Sequence, residues 1–309
     1  MDTALEYYND LDNISLPNDS IEYDNIFDYE SQNNKKVLCI LILVICLLGA
    51  VGNGVVIWLL GFRIKRNYFI IYILNLAIAD LGVLLSSTIH AVYRFFPFDV
   101  VLHITVQLSF FLLLLMYSAS QFLLTAISID RSVAVFFPLW YKCHQPTCLS
   151  SVVCALIWVL SVLLTAVTCT LILAGQTGIE GYAQFFVNGL LCLPIMTVAT
   201  VALFIKLHVK ARQHQRRKLL TVILLTLVFF LFFAFPLNII FILNFFYFNY
   251  WSIYIFYSAM LLACLNSSVN PAIYTLVGRQ RKSRRKEHMK MILQNVFKEE
   301  EGCTERNPS

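Results

Sequence analysis

Seven long apolar runs constrain this chain more than any other feature. They cover residues 37–62, 68–95, 102–137, 149–174, 182–209, 219–246 and 254–277. Each exceeds the roughly 20 residues that an α-helix needs to cross the hydrocarbon core of a bilayer. A barrel strand needs only about 10 and alternates polar with apolar residues, which these runs do not. Only 13% of the residues are charged and 59% are hydrophobic, whereas a soluble globular chain is about 25% charged. So little charge cannot cover a water-facing surface, and a disordered chain needs low hydrophobicity. Nine Cys in 309 residues are too sparse for a disulfide-dense secreted domain. The links between runs are too short to fold alone. The expected fold is therefore all-α, an integral membrane bundle of seven transmembrane helices.

Charge is sorted along the chain. Residues 1–34 hold nine of the 18 acids and no Lys or Arg. They lack the basic and apolar regions of a cleavable signal peptide, so the first span is expected to direct insertion. Of 23 Lys and Arg, only Lys35, Lys36 and Arg94 fall on the side of the N-terminus. Positive charge stays in the cytoplasm, which puts the N-terminus outside and the C-terminus inside. Three parts follow: an extracellular, acidic, disordered tail (1–34), the bundle (35–277), and a cytoplasmic basic amphipathic helix and tail (278–309). No internal repeat of the transporter kind is present.

Polar groups at membrane depth are costly and usually functional. Asp80 is the only acid in mid-bilayer; Asn53, Ser120, Asn266, Ser267 and Asn270 lie half-way along their own runs. A carboxylate among hydroxyl and amide oxygens suits a small hard cation or a proton. The same set serves equally as a packing cluster of about 1 kcal/mol per contact. Pro194, Pro236 and Pro271 each remove a backbone donor and kink a helix. Asp130-Arg131 ends the third run, where a charged pair can snorkel to the interface. Arg216, Arg217 and Lys218 form a basic rim, read as topology and lipid-headgroup contact or as a docking surface for an acidic partner.

Together these residues resemble a class A, rhodopsin-like G-protein-coupled receptor. The motifs run in order: Gly52-Asn53, Leu76 to Asp80, Asp130-Arg131, Trp158, Pro194, Pro236, and Asn266 through Asn270-Pro271 to Tyr274. Within that class the stretches Leu124 to Arg131, Pro138 to Pro146, Phe233 to Pro236 and Asn266 to Gly278 are similar to the Mas and Mas-related branch. Two departures from the wider class are shared with that branch. The usual third-helix Cys is replaced by Val106 and the loop at 175–181 has no Cys, so no structural disulfide is expected. Ala234 stands where a Trp usually precedes the sixth-helix Pro.

The resemblance implies a plasma-membrane receptor that binds an extracellular agonist and activates a heterotrimeric G protein, with arrestin as a further partner. Arg131 is expected to be held by Asp130 at rest and released to the G protein on activation. Tyr141, Pro236, Asn270, Pro271 and Tyr274 take part, and Arg216, Arg217 and Lys218 line the transducer cleft. Asp80, Ser120, Asn266 and Asn270 are the expected ligands of an allosteric sodium ion; no other cofactor and no nucleic acid is expected. For the agonist, His90, Tyr93, Arg94, Asp99, Gln184, Asn188, Asn238, Asn244, Tyr254 and Tyr257 lie toward the outer ends of the spans. No acid lies between Phe110 and Tyr117, which disfavours small amines, and the short 175–181 loop leaves the mouth open, which favours a peptide over a lipid or other small molecule. An intramembrane metal-dependent enzyme needs several His or carboxylates at one depth; of six His, only His90 lies deep enough in a span to be buried there. Asn13 and Asn18 open N-x-S sequons in the tail, and Tyr7, Tyr8, Tyr23 and Tyr29 lie among acids in a context that favours sulfation.

Overall fold

The computed structural model describes residues 18–63, 68–93, 95, 100–137, 141, 148–174, 180–209 and 253–278, with residues 224–225, 228–229, 232–233 and 238–239 of the sixth apolar run. Six helices are described: α1 (Asn18–Phe62), α2 (Tyr68–Tyr93), α3 (Val100–Phe136), α4 (Leu149–Leu173), α5 (Glu180–Val209) and α6 (Ile253–Gly278). The last carries the seventh apolar run, and no strand occurs among the described residues. Five of these helices are long and apolar enough to cross a membrane.

Their ends follow elementary rules. Helix α3 stops at Phe136, one residue before the residue that precedes Pro138, where the proline ring disfavours helical backbone. Helix α1 departs from the sequence expectation. It begins at Asn18, so residues 18–34 are helix where a disordered tail was expected. Those residues are polar and have no hydropathy signal. They nevertheless contain neither Gly nor Pro up to Gly49, and Pro17 sits just before the first helical residue. Once the apolar span has nucleated a helix, adding turns needs no second nucleus, and the early acids suit the positive end of the helix dipole.

Helix α3 packs against α2, α4 and α5, while α1 touches both α2 and α6 and so brings the last helix back to the first. In the most apolar 18-residue stretches of α2 and α3, 67% and 61% of residues are buried, against 22% in α4 and 28% in α1. The former are the axis of the bundle and the latter its rim. The outer faces carry Leu47, Leu48, Leu163, Leu190 and Val198 exposed, an apolar surface that lipid solvates and water does not. The interior holds Asn53, Asp80, Ser118, Gln121 and Asn188. With lipid outside, helices associate through packing and interhelical hydrogen bonds rather than hydrophobic burial. Gly49 and Gly52 allow α1 to approach α6 closely. A Cβ at Gly49 would run into Ser268, and one at Gly52 would lie 3.0 Å from the Pro271 ring.

Candidate functional site

Three polar centres lie along the inside of this bundle. The first surrounds Asp80, whose side chain is completely buried. Ser120 of α3 donates its hydroxyl to Asp80 Oδ1 at 2.8 Å, and Asn270 of α6 donates from Nδ2 to Oδ2 at 2.7 Å. One carboxylate thus ties three helices together. Both partners are neutral, so an ionised Asp80 needs a counter-cation, or else it holds a proton. The set offers carboxylate, hydroxyl and amide oxygens, the donors a hard cation takes. Asn266, from the expected ion ligands, is buried on the same helix.

Next to it, Asn53 shows why its type is required. Pro271 has no N–H, so the carbonyl of Ser267, four residues earlier, loses its helical donor. Asn53 Nδ2 donates to that carbonyl at 3.0 Å and to Gly49 O at 3.0 Å. The amide of α1 therefore supplies the hydrogen bond that the proline of α6 removes. On the far side of α2, Trp158 Nε1 donates to Asn75 Oδ1 at 2.9 Å.

The second centre lies where α3 ends. Arg131 donates from Nε and Nη2 to a single oxygen, Asp130 Oδ2, at 3.0 and 2.7 Å. Tyr141, beyond the helix, donates its hydroxyl to the same carboxylate at 3.2 Å and accepts from Arg131 Nη2 at 3.3 Å. Arg131 is only 4% exposed, although it stands at a helix end where snorkelling was one reading. Asp130, Arg131 and Tyr141 are therefore brought together. Pro271 lies inside α6, and Tyr274 lies on that helix with its side chain outside the described residues. Arg216, Arg217, Lys218 and Pro236 also lie outside them.

The residues expected to meet an agonist divide into separate neighbourhoods. His90 lies edge-on to Phe110 of α3 and Phe256 of α6, with centroids 6.3 and 5.8 Å away. Tyr257 is buried against α1, in a cluster with Cys39 and Ile42, and Tyr93 is half-buried near the end of α2. Gln184 and Asn188 of α5 face α3. Gln184 Nε2 donates to Ser118 Oγ at 2.7 Å, Leu114 O at 3.1 Å and Thr165 Oγ1 at 3.1 Å, and Asn188 Nδ2 donates to Ser118 Oγ at 2.8 Å. Asn238 donates to Gln121 Oε1 at 3.4 Å. Arg94, Asp99 and Asn244 lie outside the described residues, as does the Tyr254 side chain. Between these neighbourhoods is a small apolar cleft lined by Phe110, Leu114, Tyr117, Phe185, Phe256 and Met260 among others, with no charged side chain among the described residues. Near it, His90 Nε2, Gln184 Oε1 and Asn188 Oδ1 have no hydrogen-bond partner among the described residues. This arrangement can seat an apolar group and answer a polar one at its edges.

Sequence reasoning passed over Ser118, Gln121 and Thr165. All three are polar residues inside apolar runs, the same signal that singled out Ser120. It also passed over Phe69. The Arg131 guanidinium lies over the Phe69 ring, 4.1 Å from its centre, and nothing in an apolar run marks one aromatic residue from its neighbours.

Comparison with known proteins agrees with this geometry. The sequence pattern of the "7 transmembrane receptor (rhodopsin family)" matches residues 52–274. The rat (Rattus norvegicus) protein "Proto-oncogene Mas" is 34% identical over 270 residues, covering 82% of this chain and 81% of that protein. The human (Homo sapiens) "Mas-related G-protein coupled receptor member X1" is 34% identical over 276 residues, 85% of this chain and 83% of its own length. Human member F of the same group is 35% identical over 280 residues, 85% and 79% of the two chains.

Proposed function

Because this chain belongs to the rhodopsin family of seven-transmembrane receptors, in its Mas-related branch, we propose that its extracellular ligand is a peptide with basic residues. Family membership itself makes the chain a multi-pass plasma-membrane receptor that couples to G proteins, and not an enzyme. The observation that carries the finer reading is the charge of the N-terminal segment, nine acids without one Lys or Arg in residues 1–34. Such a segment draws in a cationic peptide and raises its encounter rate, an effect that salt weakens. The apolar cleft beside His90 supports insertion of an apolar side chain of that peptide.

In this reading the N-terminus is outside, and the end of α3 faces the cytoplasm. Arg131 leaves Asp130 and Tyr141 when the bundle opens and contacts the G protein, with arrestin using the same cleft. Arg216, Arg217 and Lys218 line that cleft, and Pro236 supplies the bend of the sixth span. At rest Asp80, with Ser120, Asn266 and Asn270, would hold a sodium ion, whose charge would offset a carboxylate that otherwise lies among neutral partners.

The test is a screen of basic peptides for G-protein activation in cells expressing the receptor, repeated on a variant lacking residues 2–30. An activating basic peptide is expected, with association slowed by the truncation at low salt and dissociation little changed. Activation by neutral or acidic ligands alone, or association rates indifferent to both tail and salt, overturns the peptide reading.

A further inference from the structure

The guanidinium of Arg131 is held by Asp130 on its own helix, by the Tyr141 hydroxyl just beyond it, and by a contact on another helix. Asp130 is its sequence neighbour, and neighbours on a helix do not face each other. The salt bridge at 2.7 Å therefore bends the arginine sideways, and it moves wherever α3 moves. The contact on another helix is with Phe69. Phe69 is the second residue of α2, is 1% exposed, and lies beneath the guanidinium with 4.1 Å between Arg131 Cζ and the ring centre. That distance is well inside the ~6 Å over which a cation is attracted to an aromatic face, and the attraction grows when both groups are out of water.

The placement also has an electrostatic reason. The amino end of α2 is the positive pole of its dipole and by itself opposes a nearby cation. An aromatic ring presents a negative face, so Phe69 makes this end of α2 acceptable to Arg131. A Leu at that position fills the space without that face.

We infer that Phe69 is a positioning residue that keeps Arg131 in its resting place and so sets how often the unliganded receptor engages a G protein. The inference rests on the reading that Arg131 is the G-protein contact. An arginine that reaches for a partner leaves the ring, so the contact exists in the resting arrangement alone. A contact made in only one of two states shifts the population toward that state.

Phe69 also belongs to the main hydrophobic cluster, so the experiment must separate electrostatics from packing. Phenylalanines carrying one, two and three ring fluorines are incorporated at position 69 of the full-length receptor. Fluorination weakens the negative face while nearly preserving shape. Each variant is reconstituted in lipid nanodiscs, and unliganded nucleotide exchange on a purified heterotrimeric G protein is measured per folded receptor. Phe69→Leu and Arg131→Ala are run beside them. Exchange is expected to rise stepwise with fluorine number, by about three- to tenfold across the series, with Phe69→Leu at or above the top. A flat series, with Arg131→Ala still abolishing exchange, overturns the inference and spares the reading beneath it. Full exchange by Arg131→Ala overturns both.

Discussion

Replacing Asn53 by Leu should destabilise the receptor, and replacing Pro271 by Ala should remove much of that cost. The two side chains lie on different helices, and one backbone carbonyl connects them. In the wild type, Asn53 Nδ2 is 3.0 Å from Ser267 O, the acceptor that Pro271 leaves without a helical donor. Leu keeps the branched shape of Asn and loses the donor. The bond to Gly49 O matters less, since that carbonyl keeps its own helical partner. The stranded Ser267 carbonyl costs about 1–3 kcal/mol as a buried unsatisfied acceptor. On the scale of soluble chains of 150–250 residues, 2 kcal/mol is a fall of roughly 4–8 °C in Tm. With Ala at 271 the backbone N–H returns and the carbonyl is bonded within α6, so Asn53→Leu should then cost less by about 1–2 kcal/mol. The assay is thermal unfolding of purified wild type, both single variants and the double variant in identical nanodiscs. Equal losses for Asn53→Leu in the two backgrounds would refute the claim that the amide replaces the proline's missing donor.

Three further outcomes follow from the same centres. Unliganded nucleotide exchange should fall when sodium replaces a bulky organic cation at matched ionic strength, by about 5- to 150-fold for a coupling of 1–3 kcal/mol, and Asp80→Asn should remove the difference; a wild type indifferent to sodium rejects the ion. Tyr141→Phe removes a hydroxyl 3.2 Å from Asp130 and 3.3 Å from Arg131 and should raise unliganded exchange severalfold, on the order of 1 kcal/mol; unchanged exchange excludes a restraining role for that hydroxyl. Protein from mammalian cells should lose apparent mass on deglycosylation, and Asn13→Gln with Asn18→Gln should abolish the shift; a shift that persists in the double variant places the glycans elsewhere.

Hydropathy carried most of the architecture, because lipid makes helix length and apolarity inseparable. The runs 68–95, 149–174 and 254–277 correspond to Tyr68–Tyr93, Leu149–Leu173 and Ile253–Gly278 within two residues at each end. It failed for the first turns of α1, where a polar segment extends a helix that another segment nucleates. Asp80, Ser120 and Asn270 were legible together, because a polar residue at mid-membrane depth must find partners at the same depth. Asp130, Arg131 and Tyr141 were legible through motif resemblance rather than physics, since a charged pair at a helix end has an equally good solvated reading. The agonist residues were less legible. Gln184 and Asn188 were read as part of an open mouth, and the bonds their amide nitrogens make to Ser118, Thr165 and a backbone carbonyl of α3 were not foreseen. Which face of a helix a polar residue occupies depends on the rotation of that helix against its neighbours, and no single run encodes it. Phe69 was invisible for the same reason. Its partner is a cation on another helix.

Arg131 is the proposed point where this receptor reaches its G protein. The most direct measurement is nucleotide exchange on a purified heterotrimer by the receptor in nanodiscs, comparing empty discs, wild type and Arg131→Ala at equal amounts of folded protein. Wild type is expected to accelerate exchange over empty discs, and Arg131→Ala to return it to the empty-disc rate with its melting curve still cooperative. Acceleration by Arg131→Ala equal to wild type would contradict the proposed role of Arg131.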